Sequence, residues 1–249
     1  KLFDDFKENK LQALMLSVSE PLLYKNIERV LLRAEDAEIM DVFLFTNGVL
    51  LTPKNASMIL NSSVTRLFIS IDAATQETYS GVRPRAWMQK EDKNRLLDLE
   101  ANVKNFITMR DAQHKVLPLV RVSFVAIEEN KHEVDDFIEK WVDIVDSVEI
   151  QEEVSIKVYD KIRRKDAVES VEKQEGYSYK CNEPWGQITV YSNGQVGPCC
   201  NAVGNQLNVG NILNGTIKEI WNDKAMRKIR YGFETGNPNS ICKLCLENS

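Results

Sequence analysis

The sequence predicts an α/β protein: a parallel sheet alternating with helices, followed by a smaller C-terminal domain of mixed strands and helices. Three observations lead there. Short, β-rich apolar runs alternate with mixed-charge helical stretches over residues 1–155. That rhythm stops after Glu153. All five cysteines, Cys181, Cys199, Cys200, Cys242 and Cys245, then fall in the last 69 of 249 residues.

Taken in order, the chain opens on a helical stretch, Leu2–Asn9. Leu11–Val18, Asp41–Phe45, Arg66–Ile71, Leu119–Ile127 and Ser147–Ile150 read as strands. Their apolar runs are nearly continuous, the texture of strands buried on both faces. Asn26–Asp36, Leu96–Asp111 and His132–Val145 read as helices between them. Such alternation implies right-handed βαβ units, and the opening helix should follow a sixth strand. In parallel β/α folds the chemistry gathers at the carboxyl ends of the strands. The charged stretch over 156–180, with Arg163-Arg164-Lys165 and Glu172–Glu175, reads as a partly helical linker with a solvated face. Beyond Cys181 come short strands, Gln187–Tyr191 and Gln195–Gly197, and an amphipathic helix, Ile217–Tyr231. The expected domains are therefore 1–155, a linker 156–180, and 181–249.

Composition narrows the function classes. Hydrophobic content of 43% and charged content of 28% suit a globular protein with a sizeable core. A net charge of −5 is the wrong sign for a phosphate-tracking surface, so no nucleic-acid partner is expected. No apolar run approaches the ~18–20 residues that span a bilayer, so no membrane partner is expected either. The start, Lys1-Leu2-Phe3-Asp4-Asp5, has neither an initiator Met nor an apolar signal region, and reads as the middle of a longer protein. An odd cysteine count with a CxxC pair argues against a disulfide framework and for metal binding in the cytoplasm.

Thiolates suit zinc or iron–sulfur clusters. Cys181 and Cys199 have 17 residues between them, including the turn Ser192-Asn193-Gly194, so a hairpin brings them together. Cys242-Lys243-Leu244-Cys245 supplies a second pair. Zinc ribbons usually use two CxxC knuckles; one hairpin pair weakens the zinc reading and leaves it open.

Here a resemblance enters. Cys181, Gly194, Cys199 and Cys242-x-x-Cys245, with Asn182-Glu183-Pro184-Trp185, Pro198-Cys199-Cys200, Gly210-Asn211-Ile212 and Glu219-Ile220-Trp221-Asn222, resemble the SPASM/twitch domains of radical S-adenosylmethionine enzymes. The first 155 residues resemble that family's barrel from its second strand onward, implying a partial (β/α)6 barrel with a small C-terminal α+β domain. Ser17-Val18-Ser19-Glu20-Pro21 stands where the family has a Gly-Gly-Glu-Pro-like turn, with Val18 and Ser19 in place of the glycines. Thr46-Asn47-Gly48 and Ser70-Ile71-Asp72 end the next two strands, and Thr78–Arg83 follows as in members with this C-terminal domain. Arg121 and Ser123 lie on the following strand, and Gln151-Glu152 closes the last. Singly, each has a bland account: Asn47-Gly48 is a common turn, and Arg121 could be a surface strand residue paired with an acid.

The resemblance implies a radical enzyme. S-Adenosylmethionine would be held by Ser19, Glu20, Pro21, Thr46, Asn47, Ser70, Asp72, Arg121, Ser123 and Gln151. Cys181, Cys199, Cys242 and Cys245 would hold one auxiliary 4Fe–4S cluster. A second 4Fe–4S cluster, which cleaves the cofactor, belongs to a CxxxCxxC loop that this chain lacks and that is expected before Lys1. The substrate would be a small molecule, sugar- or aminocyclitol-like, or a peptide, and the outcome dehydrogenation or epimerisation. A reductant such as flavodoxin or ferredoxin would supply electrons. Cys200 would be a hydrogen donor in an epimerisation, or simply a buried thiol facing away from Cys199. The alternative of another class is a non-catalytic iron–sulfur or zinc protein acting in electron transfer or as a scaffold.

Overall fold

The computed structural model describes residues 1–17, 19–83, 94–152, 179–200 and 206–247. Most of the expected linker, together with Val18, lies outside the described residues. The chain divides into two compact units, residues 6–153 and residues 1–5 with 154–249.

The boundary between the units falls within α1 (Leu2–Glu8); after it the first unit runs β1 (Ala13–Leu16), α2 (Ile27–Asp36), β2 (Asp41–Thr46), α3 (Pro53–Leu60), β3 (Arg66–Ser70), α4 (Gln76–Val82), α5 (Arg95–Ala112), β4 (Leu119–Ala126), α6 (Val134–Trp141) and β5 (Ser147–Glu152). The five strands form one sheet in sequence order, and each neighbouring pair is parallel. All four strands after β1 begin where the apolar runs begin, because β-branched and aromatic side chains fill a pleated surface. The sixth helix is shorter than expected: a 3₁₀ turn, Lys131–Glu133, precedes it and it ends at Trp141.

Burial corrects one expectation. The strands are not sealed on both faces. Val42, Leu44, Leu67, Ile69, Val120, Val122 and Phe124 are fully buried; along β2 and β3 they alternate with more exposed neighbours, while in β4 Ser123, between Val122 and Phe124, is buried as well. Phe137 and Trp141 of α6 and Val103 and Phe106 of α5 are equally buried, and Phe124 and Phe137 pack with ring centroids 5.0 Å apart. The register places Met15, Phe43, Phe45, Phe68, Ser70, Arg121, Ser123, Glu149 and Gln151 on the opposite face. Apolar residues appear continuous in sequence because the aromatics Phe43, Phe45 and Phe68 occupy that second face. Polar groups take over at the carboxyl ends.

The second unit contains α7 (Glu183–Gly186), β6 (Thr189–Val190), β7 (Gln195–Gly197), β8 (Gly210–Asn211), α8 (Ile217–Asn222), α9 (Lys224–Glu234) and α10 (Ser240–Leu246). The three strands form an antiparallel sheet around a small core of Val196, Val209, Ile220 and Met226. Gly194 turns the β6–β7 hairpin at φ +82°, and a Cβ there would sit 2.8 Å from Asn211 Oδ1. The expected helix 217–231 is two helices. Asp223 is extended (φ −73°, ψ 164°) and breaks the axis between α8 and α9. Thr216 and Glu219 form a capping box at the start of α8, where the Asp5 carboxylate also accepts from Ile217 N.

Candidate cofactor face and cysteine site

The carboxyl ends of β2, β3 and β4 are tied together by side chains. Glu20 Oε1 accepts from Leu22 N (3.1 Å) and from Thr46 Oγ1 (2.8 Å), while Oε2 accepts from Asn47 N (2.7 Å). One carboxylate thus fixes the turn after β1 onto the end of β2. Its four lone-pair positions leave room for one more donor. Ser19, in the place of a family glycine, has φ +106°, a backbone region that costs a side chain of this kind ~1–3 kcal/mol. The turn keeps its glycine-like path without the glycine. Pro21 opens the 3₁₀ turn that Glu20 caps. Thr46 is buried, and its hydroxyl also accepts from Gly48 N (3.1 Å). Asn47 Oδ1 accepts from Val49 N (3.0 Å). Gly48 has φ +74°, and a Cβ there would lie 3.0 Å from Ile69 Cγ2.

Ser70 and Ser123 pair across β3 and β4, and Val125 pairs with Gln151, which is exposed on β5. Asp72 is on the same sheet end as Glu20, one residue past the Ser70-Ile71 pair, in the left-handed region (φ 64°). Its carboxylate accepts from Val125 N (2.9 Å) and from the Arg83 guanidinium (Nε 2.8 Å). Asp72 is therefore committed to joining β4 to the segment after α4. Arg121 lies lower on the sheet. Its guanidinium stacks 3.7 Å from the Phe68 ring centre and pairs with Glu149 at 2.9 Å. The expected bland account, pairing with an acid, thus holds in part. Its Nε, however, is buried with no hydrogen-bond partner among the described residues.

Two residues that the sequence did not single out complete this end. Asn130 is fully buried; its Nδ2 donates to Asp72 O and Val125 O (both 2.9 Å) and its Oδ1 accepts from Ile127 N (2.7 Å). Glu133, also buried, accepts from Ala74 N (2.6 Å), Thr75 N (3.2 Å), Thr75 Oγ1 (2.5 Å) and Thr78 Oγ1 (2.7 Å). Burial acts to raise its pKa, but those four donors prevail and hold it below the usual carboxylate range. Both sit inside the charged run Glu128–Glu133, where only an Asn between Glu129 and Lys131 hinted at a turn.

In the second unit the expected cysteines converge. Burial pushes the Cys242 thiol up to about 12; hydrogen bonding from Asn239 acts against this, while Cys199, Cys181 and Cys245 reinforce it electrostatically. All four sulfurs thus share one small region. Burial also raises the Cys181 thiol, with Glu183 and Cys200 adding to the effect and a backbone hydrogen bond opposing it. Arg230 holds the Cys181 turn: Nε donates to Pro184 O (2.9 Å), Nη1 to Trp221 O (2.9 Å), and the guanidinium lies 4.3 Å from the Trp221 ring centre. Cys200 is exposed, unlike its four half-buried counterparts; Gln187 Nε2 donates to its sulfur at 3.4 Å.

The donor set can be tested against its two candidate occupants. Zinc would draw four sulfurs to about 2.3 Å from one ion. Among the described residues, no three His, Cys, Asp or Glu side chains are gathered closely enough for a single ion. A four-iron cluster gives each thiolate its own iron and so takes its sulfurs wider apart. Four thiolates are a donor set that an iron–sulfur cluster takes.

Comparison with known proteins agrees with both halves. The Radical SAM superfamily model matches residues 1–140, and the SPASM model, an iron–sulfur cluster-binding domain, matches residues 181–246. The AdoMet-dependent heme synthase of Methanosarcina barkeri (strain Fusaro / DSM 804) is 27% identical over 267 residues, covering 92% of this chain and 74% of that protein. Streptococcus suis SuiB shares the fold at a TM-score of 0.66 and 16% identity, over 93% of this chain. BtrN, in a complex with AdoMet and 2-DOIA, does so at 0.53 and 13%, over 94% of this chain and 72% of its own. The chain spans 60% of the length of SuiB. No helix among the described residues is long and apolar enough to cross a membrane. The chain belongs to the radical S-adenosylmethionine superfamily, and its C-terminal region is a SPASM iron–sulfur cluster-binding domain.

Proposed function

We propose that this chain is the cofactor- and substrate-handling part of a radical S-adenosylmethionine enzyme that removes a hydrogen atom from a small-molecule or peptide substrate. The observation that carries the reading is the gathering of Glu20, Asn47, Ser70 and Ser123 at the carboxyl ends of adjacent parallel strands, where ligands of such sheets bind. When bound, S-adenosylmethionine and a reduced 4Fe–4S cluster supply a 5′-deoxyadenosyl radical. The chain's own residues bind and orient. Glu20, with backbone carbonyls of the Ser19–Pro21 turn, takes the cofactor ammonium. Arg121 offers its guanidinium charge to the cofactor carboxylate, and Ser70, Ser123 and Gln151 offer hydroxyl and amide groups to the ribose and base. Thr46, Asn47 and Asp72 keep the strand ends in place. Cys181, Cys199, Cys242 and Cys245 hold the auxiliary cluster, which supplies a one-electron redox centre. Residues 1–155 and 181–249 act as the two functional domains.

Oxidation of the substrate is favoured over epimerisation, because an auxiliary cluster can take the electron that a substrate radical gives up. The relatives named support both substrate classes: SuiB has been captured with a precursor peptide and BtrN with 2-DOIA. A flavodoxin or ferredoxin serves as reductant. Epimerisation with Cys200 as hydrogen donor is a second reading, favoured by its exposed thiol. The test is anaerobic reconstitution of the gene-encoded full-length protein and measurement of 5′-deoxyadenosine release. Release supports the enzyme; bound iron and sulfide without release supports a non-catalytic electron carrier. Cys200→Ala with unchanged product removes the donor role.

A further inference from the structure

We propose that Asn239 is a positioning residue for the auxiliary cluster, holding Cys242 Sγ with an N–H···S hydrogen bond that raises the reduction potential of a cluster ligated by that sulfur. The inference rests on the reading of Cys242 as a ligand and adds to it a group outside the cysteine set.

Asn239 (φ −61°, ψ 160°) is the N-cap of α10, and its Oδ1 accepts from Cys242 N at 3.0 Å. Its Nδ2 lies 3.2 Å from Cys242 Sγ. The two ends of a carboxamide are interchangeable in shape, but here their order is dictated by chemistry. A backbone N–H only donates, so the oxygen must face Cys242 N, and the NH₂ is left facing the sulfur. One side chain therefore starts the helix that carries the CxxC pair and touches the first sulfur of that pair. Because Cys242 is the third residue of α10, the cap geometry itself delivers the amide to the sulfur.

A donor aimed at a coordinating thiolate favours the state with more negative charge on sulfur. Reduction of the cluster adds that charge, so the Asn239 amide stabilises the reduced form more than the oxidised one. The contact lies where Cys242 is half-buried and water competes less for the sulfur. Most residues that can cap a helix cannot do this second task. Ser and Asp keep an acceptor for Cys242 N, but Ser has nothing at the Nδ2 position and Asp puts an oxygen there.

The experiment compares this chain with N239S and N239D after anaerobic reconstitution, by potentiometry followed by EPR and by the Fe–S(Cys) stretching frequencies in resonance Raman spectra. The expected result is full iron and sulfide content, a helix content like the parent's, and a reduced-to-oxidised ratio at fixed potential about tenfold lower in N239S. For a one-electron couple that is about 59 mV. N239D shifts further in the same direction, and an Fe–S stretch moves to higher frequency in both. A shift of threefold or more supports the proposal. A smaller shift in loaded variants overturns it. Two folded variants that take up no cluster also overturn it, because Asn239 would then serve assembly and not potential. A parent chain that binds no iron and sulfide fails the cluster reading itself, which separates that failure from the failure of the Asn239 assignment.

Discussion

Replacing Glu133 separates the work of its charge from the work of its shape. One oxygen, Oε2, accepts from the backbone N–H groups of Ala74 and Thr75, and the other, Oε1, from the hydroxyls of Thr75 and Thr78. In E133Q the amide oxygen can keep the two backbone donors, and its NH₂ can face the two hydroxyls, which rotate to accept. What is lost is the charge assistance, which roughly doubles such bonds, so the expected cost is about 1–1.5 kcal/mol. In E133A two buried N–H groups lose their partner at ~1–3 kcal/mol each, and the expected cost is about 4 kcal/mol. For a unit of this size these correspond to losses in Tm of about 2–6 °C and about 8–16 °C. The pH dependence has a definite sign. The folded-state pKa of Glu133 is lowered, so its contribution is present above the unfolded value of about 4.3 and fades as pH falls through the folded one. The difference between parent and E133Q should therefore be constant from pH 6 to 8 and close below about pH 4. Calorimetry across that range is the assay. An E133A loss under ~1.5 kcal/mol, or a parent–E133Q gap as large at pH 3 as at pH 7, would refute the assignment of Glu133 as an ionised anchor.

Further outcomes follow from other parts of the molecule. Ser19→Gly should raise stability by about 1 kcal/mol, because glycine takes φ +106° freely; a lower Tm would contradict the strained turn. Serine in place of Cys181, Cys199, Cys242 or Cys245 should abolish or halve bound iron and sulfide after reconstitution, whereas Cys200→Ser should leave both unchanged by elemental analysis. In metal-free protein at pH 8, mass spectrometry should find Cys200 alkylated first and Cys242 last, since the Cys242 thiol stays neutral up to about 12; early Cys242 labelling would contradict its burial. Arg230→Met should cost the C-terminal unit about 2–3 kcal/mol in chemical denaturation, for two hydrogen bonds and a ring contact.

The sequence carried the strands well and their surroundings less well. Arg66–Ile71 and Leu119–Ile127 come within a residue of β3 and β4 because packed aromatic and β-branched residues announce a strand directly. That β2 and β3 bury one face and leave the other half-exposed was hidden, since Phe43, Phe45 and Phe68 extend the apolar run onto the half-exposed face. The break at Asp223 was hidden for a different reason: Ile217–Tyr231 keeps one helical period through it, and only the backbone shows the change of axis. The cysteine spacing was legible because few chemistries use that pattern. Asn130 and Glu133 were not, since burial of a polar side chain among charged neighbours depends on partners 50 or more residues away. Asn239 carries a sequence signal: an Asx residue directly before a helical stretch is an N-cap candidate.

The division of the sheet into a sealed face and a polar one bears on how such proteins diverge. Substitutions at Val42, Leu67 or Val122 are judged only by volume and fit, and a swap of similar size is tolerated. Those at Ser70, Ser123, Glu149 or Gln151 fall on the opposite face and change the polar groups that face carries. Two sets of positions therefore drift under different constraints while sharing the same strands, one residue apart. Chemistry can be rewritten along a lineage by changing every second residue, and the architecture that carries it stays the same.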